Sequence, residues 1–238
     1  MALPRAILCP VARGPSVTDE AIAKIRDMIV SGRWRPGERL PREADLAVQL
    51  GLSRSSLREA VRALSLVRVL EVRQGDGTYV SSLEPDLLLE TTAFVTHLLQ
   101  DHTVLELFEV RRLLEPAAAA MAAVRMDEDA RARLRAELDR MRAAEGVEEL
   151  VEADMAFHAE IAAAAGNAVL RSLLDGLAAR TMRVRLWRGQ ADARAIADTL
   201  ADHVRIHDAI ASRDPELSRA AAAAHIAAGE LWLRQNLA

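Results

Sequence analysis

The sequence predicts a mainly α protein in two parts: an N-terminal set of three short helices closed by a β-hairpin, then a C-terminal all-helical antiparallel bundle of six or seven helices. Three observations lead there. The chain has 238 residues, longer than one ordinary domain. Aromatic residues make up only 3%, and the β-formers are outnumbered by Ala, Leu and Arg, which favour helix. Apolar residues recur at helical spacing along most of the chain, and hairpin chemistry occurs once.

The elements follow in order. Residues 1–15 hold three Pro and no sustained period, which reads as a flexible tail. Ala21, Ile22, Ile25, Met28 and Ile29 mark a helix over about 18–31, stopped by Gly32 and Pro36-Gly37. A short helix over about 43–49 leads to Gly51-Leu52-Ser53, where Ser53 can cap a third helix over 54–66. Val69–Arg73 and Thr78–Ser81 are β-prone runs around Gln74-Gly75-Asp76-Gly77. Three helices and a hairpin in this order spell a winged helix-turn-helix over 16–82. Pro85 marks a linker, and 83–102 is assigned to that linker and a first helix over 86–100. The bundle, 103–238, is read as helices over 103–124, 127–144, 147–165, 168–188, 192–212 and 216–236, with Gly166-Asn167 and Asp214-Pro215 as stop and restart signals. The Ala-rich stretches 117–123, 161–165 and 220–224 suit close helix crossings.

Composition excludes several classes. The single Cys9 permits neither an internal disulfide nor a Cys-based zinc site, and a reducing cytoplasm is the expected compartment. No run of 18 apolar residues occurs, and the apolar stretch near the amino terminus is short and broken by Arg5, so neither a membrane span nor a signal peptide is expected. The net charge of −4 hides an asymmetry. Residues 21–80 hold 11 Lys+Arg against 7 Asp+Glu, a net +4, which leaves −8 for the rest. The basic end is therefore the one to set against nucleic acid.

In a helix-turn-helix the second helix enters the major groove with its first turn nearest the bases, which puts Arg54, Ser55, Ser56 and Arg58 toward DNA. The Arg fork can bond bidentately to guanine, while Ser hydroxyls and the open N–H groups of the helix start can hold phosphate. At the hairpin tip, Arg73, Gln74 and Gly75 allow close approach to a groove. The sequence here resembles the DNA-binding domain of the GntR family of bacterial transcription regulators over 16–81. The matching residues are Leu40-Pro41, Glu43, Leu46-Ala47, Leu50-Gly51, Ser53-Arg54, Leu57-Arg58-Glu59-Ala60, Leu64 and Gly77-Thr78-Tyr79-Val80. The resemblance implies recognition-helix contacts at Arg54, Ser55, Ser56 and Arg58 and wing contacts at Gln74 and Gly75. Three positions depart from the family's pattern: Arg42 replaces a capping Ser, Ala44 a common basic contact, and Arg68 a helix-terminating Gly, at a cost of about 1 kcal/mol if its φ is positive.

The acidic half carries polar residues on apolar faces. Leu150, Phe157, Ile161 and Ala165 share a stripe with Asp154 and His158; Ile196, Leu200 and Ile210 with His203 and His207; Leu217, Ala221, Ala228 and Trp232 with His225. A buried carboxylate needs a partner, and imidazoles with a carboxylate suit a divalent metal, zinc first, with Ni, Mn or Fe as alternatives. Residues 103–232 resemble the all-helical FCD domain of the FadR subfamily of GntR regulators. The residues that carry the resemblance are Glu109-Val110-Arg111, Leu114-Glu115, Asp154-Met155-Ala156-Phe157-His158, Ala165-Gly166-Asn167, His203, Ile206, Ala209-Ile210 and His225. The resemblance implies metal ligation by Asp154, His158, His203 and His225, with His207 spare or, one turn from His203, a replacement for it or a partner to an outer group, and a small carboxylate metabolite on the open metal positions. It also implies that Arg111 pairs with the ligand's carboxylate, against the plainer reading of an i, i+4 pair with Glu115. Arg180, Arg183, Arg185 and Arg188 read as a cationic pocket wall or as a solvated face.

The function expected is a homodimeric transcription regulator, a repressor as in most relatives, binding an inverted-repeat operator in double-stranded DNA under control of a small organic acid, with no membrane partner. A direct metal sensor is one alternative. A metal-dependent enzyme is the other, disfavoured because the chain lacks Glu-x-x-His, His-Glu-x-x-His, Gly-x-x-x-x-Gly-Lys and Gly-x-Ser-x-Gly.

Overall fold

A computed structural model describes residues 16–85, 87, 103–191 and 193–237. The tail over 1–15 and, residue 87 apart, the helix expected over 86–100 lie outside the described residues. The chain divides into two compact units, Met1–Leu88 and Leu89–Ala238.

In the first unit, α1 (Val17–Val30), α2 (Glu43–Leu50) and α3 (Arg54–Leu66) precede β1 (Leu70–Arg73) and β2 (Gly77–Val80). Helix α1 starts at a reciprocal capping box, in which Ser16 Oγ accepts from Asp19 N–H at 3.1 Å and the Asp19 carboxylate accepts from Ser16 N–H at 2.8 Å. Ala21 and Ile25 of α1, Leu46 of α2, and Leu57, Ala60 and Leu64 of α3 bury together with Trp34, Leu70 and Val80. The strands pair antiparallel from Leu70↔Val80 to Arg73↔Gly77. Their turn needs a positive φ at its third position, and Gly75 supplies it at 77° while Asp76 N–H returns to Arg73 C=O at 3.1 Å. The departures noted above have local consequences. Arg42 caps α2 without a side-chain hydrogen bond. Arg68 adopts φ 61°, the left-handed conformation that a glycine would take without strain.

The second unit consists, among the described residues, of six helices: α4 (Thr103–Arg125), α5 (Glu128–Ala143), α6 (Val147–Ala164), α7 (Ala168–Ala191), α8 (Ala193–Ala211) and α9 (Pro215–Asn236). Asp127, Asn167 and Asp214 cap α5, α7 and α9 by accepting from backbone N–H groups near the helix starts. The core joins Phe157 and Ile161 of α6 to Leu134 and Leu138 of α5, Ile206 and Ile210 of α8, and Ala118, Ala119 and Ala122 of α4. Small side chains in α4 let α9 approach closely, with Ala222 buried opposite. The inner face of α9 differs from the expected one. Leu217 is 52% exposed and Ala228 is exposed, whereas Ser218, Ala222, Ile226, Gly229 and Leu233 are buried beside His225. Ala is abundant on every side of this helix, so apolar character does not fix its rotation. No helix among the described residues is long and apolar enough to cross a membrane.

Candidate functional site

Helices α6, α8 and α9 bring Asp154, His158, His203 and His225 together: each offers one ligand atom, and these atoms lie within 4.8 Å of one another. Spacing explains the convergence. Asp154 and His158 are one turn apart on α6, on the face that buries Phe157 and Ile161, and His203 shares the face of α8 that buries Ile206 and Ile210. The ring centroids stand 5.2 Å (His158–His203), 5.3 Å (His158–His225) and 4.5 Å (His203–His225) apart.

Each imidazole turns Nδ1 toward an outer oxygen. His203 Nδ1 donates to the Thr199 carbonyl at 2.7 Å. His158 Nδ1 stands 3.1 Å from Glu115 Oε2, and His225 Nδ1 stands 3.5 Å from Asp202 Oδ2 without a hydrogen bond to it. A carbonyl only accepts, so His203 carries a proton on Nδ1. His203 Nε2 is 2.8 Å from Asp154 Oδ1 and His158 Nε2 is 3.8 Å from it. Both nitrogens are nonetheless buried without a hydrogen bond. Close approach without alignment is what ligands aimed at a common third atom show, and outer oxygens on Nδ1 are the usual support of ligating histidines. The donor set therefore fits a divalent metal of borderline hardness.

Electrostatics favour the ligand form of Asp154, His158 and His225. Burial pushes the His158 imidazole down despite Glu115 and Asp154. Burial, reinforced by His203, pushes His225 down to about 3. Burial alone would raise the Asp154 carboxyl, but Arg185, His203 and His158 hold it well below its usual range. Glu115 behaves likewise under Arg111 and His158.

His207, the spare histidine, stays outside the cluster, with Nδ1 2.9 Å from Asp208 Oδ1. Arg111 is 2% exposed and pairs with Glu115 one turn away, the plainer of the two expected arrangements. It also lines a cavity of about 60 Å³ that reaches Asp154 and His225, together with Arg185 and Arg188. Arg185 pairs with Asp154, whereas Arg183 is exposed, so the arginine run of α7 divides between wall and surface. Sequence reasoning missed Asp202, Thr199 and the Arg185–Asp154 pair. The i, i+4 spacing of Thr199 and His203 was the one local signal.

At the basic end, Arg54, Ser55 and Arg58 are exposed on the first turns of α3, and Ser56 is half-buried. Ser53 Oγ accepts from Ser56 N–H at 3.1 Å and lies 2.9 Å from the hydroxyls of both Ser55 and Ser56, which ties these hydroxyls into the cap. Arg58 pairs with Glu43 of α2 at 2.7 Å. Such an exposed, solvent-screened pair is weaker than a bidentate guanine contact, so it leaves Arg58 available. On the wing, Gln74 and Gly75 are exposed, and Arg73 lies 4.1 Å from the Tyr79 ring centre and pairs with Glu71 at 3.0 Å. Arg39, which sequence reasoning passed over, crosses to the wing and donates to the Asp76 carbonyl.

Comparison with known proteins matches residues 17–80 to the bacterial regulatory proteins of the gntR family and residues 106–228 to the FCD domain. The HTH-type transcriptional regulator LutR of Bacillus subtilis is 33% identical over 205 residues, covering 84% of this chain and 93% of that one. The galactonate operon transcriptional repressor of Escherichia coli is 30% identical over 224 residues, covering 92% and 97%. Among solved structures, Streptococcus agalactiae GntR superposes with a TM-score of 0.66 at 28% identity, covering 90% of this chain and 99% of that one.

Proposed function

The chain belongs to the GntR family of DNA-binding transcription regulators and carries that family's FCD ligand-binding domain, and from that premise we propose that it is a metabolite-controlled repressor whose effector is a small organic acid. FCD domains often bind metal, and Asp154, His158, His203 and His225 are the residues proposed to hold a divalent ion here, zinc first. The observation that carries the reading is the convergence of Asp154 with three imidazoles, two of which leave buried, unbonded Nε2 atoms beside its carboxylate. The adjoining cavity, walled by Arg111, Arg185 and Arg188, favours an anion. A relative named as a galactonate operon transcriptional repressor supports repression.

In this reading Arg54, Ser55, Ser56 and Arg58 meet the major groove, with Arg73, Gln74 and Gly75 on the wing, and a homodimer reads an inverted repeat. The acid acts by binding one state of the protein better than the other, since equal affinity shifts no equilibrium. The test is to purify the full chain, count metal per chain by mass spectrometry, select its sites from random DNA, and titrate organic acids into the complex. About one metal per chain and release of DNA by one acid are expected. A metal-free protein that binds none even when supplied, or DNA affinity indifferent to every acid, overturns the proposal.

A further inference from the structure

The wing rests on more than its two strands. Residues 37–40 run antiparallel to β2: Gly37 N–H donates to the Val80 carbonyl at 2.9 Å, Val80 N–H to the Glu38 carbonyl at 2.9 Å, and Leu40 N–H to the Thr78 carbonyl at 2.8 Å, which sets Arg39 opposite Tyr79. An isolated two-stranded hairpin is marginally stable in water, so this third segment steadies the wing. It also launches the Arg39 side chain along the wing toward the turn.

At the turn, contacts converge on Asp76. Its N–H donates to the Arg73 carbonyl at 3.1 Å, its own carbonyl accepts from Arg39 Nη2, and its carboxylate accepts from the Tyr79 hydroxyl at 2.7 Å. The polar groups of this one residue are thus tied from three directions. Arg73 lies over the Tyr79 ring, its guanidinium 4.1 Å from the centre. Gly77 makes the crossing possible. A Cβ there would stand 2.7 Å from Arg39 Nε and 3.2 Å from Nη2, and Gly77 has no positive φ and pairs with Arg73 as an ordinary β2 residue, so the position needs room and not backbone freedom. Gln74 and Gly75 stay exposed beside the tied residue.

We infer that Arg39 is a positioning residue for DNA recognition: laid across Gly77 and bonded to Asp76, it holds the wing tip in the shape that Gln74 and Gly75 present to the groove, and it acts through the tip instead of through a phosphate contact of its own. The inference rests on the wing contacts proposed above. Its physical ground is preorganisation. A turn that is fixed before contact loses little freedom on contact, whereas each backbone residue that must be ordered on binding weakens it about five- to thirtyfold. Tyr79 gives a direct view of the clasp, because it is the only tyrosine of the chain and its hydroxyl ends on the same Asp76.

The experiment uses the full chain and a DNA duplex selected from random sequence, with affinity measured at fixed salt for Arg39→Ala, Gly77→Ala, the double variant and Gln74→Ala. Gly77→Ala keeps the Arg39 charge but drives the guanidinium off its track. Arg39→Ala and Gly77→Ala should each weaken binding by about fivefold or more, and the double variant should stay within about twofold of Arg39→Ala, since the added methyl then meets no guanidinium. In protein labelled with 3-fluorotyrosine and free of DNA, both single variants should move the one fluorine resonance. An unmoved resonance in Arg39→Ala overturns the clasp. A harmless Gly77→Ala, or losses that add in the double variant, overturns action through the tip and makes Arg39 a direct contact. Gln74→Ala separates this inference from the reading beneath it. Weakening by Gln74→Ala with Arg39→Ala at parental affinity overturns the inference alone, whereas parental affinity in all four proteins overturns the wing contacts as well.

Discussion

Replacing His203 and His207 separately by Ala gives the sharpest test of the ligand assignment, because the two lie one turn apart on α8 in opposite circumstances. His203 is fully buried, with Nδ1 bonded to the Thr199 carbonyl and Nε2 2.8 Å from Asp154 Oδ1. His207 keeps 12% of its side chain exposed and turns to Asp208 on its own helix. Losing an outer partner of a ligating histidine already costs about 10–100-fold in metal affinity, so losing the ligand should cost more than about 100-fold. Truncating a fully buried ring should also destabilise the metal-free protein by about 2–4 kcal/mol through lost packing and the cavity left behind. The assay is competition for zinc against a chelator of known affinity, with unfolding of the metal-free proteins measured in parallel. His203→Ala should lose the metal, and His207→Ala should stay within about threefold of the parent. A His207→Ala protein as depleted as His203→Ala, or a His203→Ala protein that keeps full occupancy, refutes the reasoning.

Three further outcomes follow from the same geometry. Arg54→Ala and Arg58→Ala should each weaken binding to a selected DNA site by about 1–3 kcal/mol and relax base preference, read by gel shift at fixed salt; undiminished affinity would remove α3 from the groove. For the metal-free protein, the ordinary pKa of 6.5 for an unfolded histidine against about 3 for folded His225 fixes the sign. The unfolded chain gains a proton that the folded one refuses as pH falls below about 6.5, so stability falls with acidification, and the urea midpoint at pH 5 should lie below that at pH 7.5. Arg68→Gly should raise the stability of the winged unit by up to about 1 kcal/mol, because Arg68 holds φ 61°. An unchanged or lower unfolding midpoint would show that contacts of the Arg68 side chain offset the strain.

The winged unit was legible in the sequence because its constraints are local. Ser53 reads as a cap for α3, and it does accept from Ser56 N–H. Gly51 and Gly75 mark positive φ, and both have it. Arg68 shows the limit of that legibility, since fold context imposed the left-handed conformation there without the residue that normally announces it. In the bundle, α6 was equally readable, because Leu150, Phe157 and Ile161 are large and confined to one side. Helix α9 was not, because a run such as 220–224 offers no contrast between faces, and its rotation is decided by which partner helix needs small residues.

The same contrast runs through the site. Spacing marks five polar groups on apolar stripes, Asp154, His158, His203, His207 and His225, whose burial without partners would be too costly to be accidental, and the family resemblance singles out the four that converge. Of their outer partners only the Thr199 carbonyl has a local spacing, four residues before His203; Glu115 and Asp202 lie on other helices than the imidazoles they face, and nothing in their spacing relates Glu115 of α4 to His158 of α6. Arg111 illustrates why a sequence pattern can underdetermine a role even when it is read correctly. Its i, i+4 pairing with Glu115 and its place on the cavity wall are compatible: the carboxylate that neutralises Arg111 also faces His158 Nδ1. An anion arriving at Arg111 therefore draws on the charge that supports a metal-facing imidazole, so effector affinity and metal affinity should be linked through Glu115.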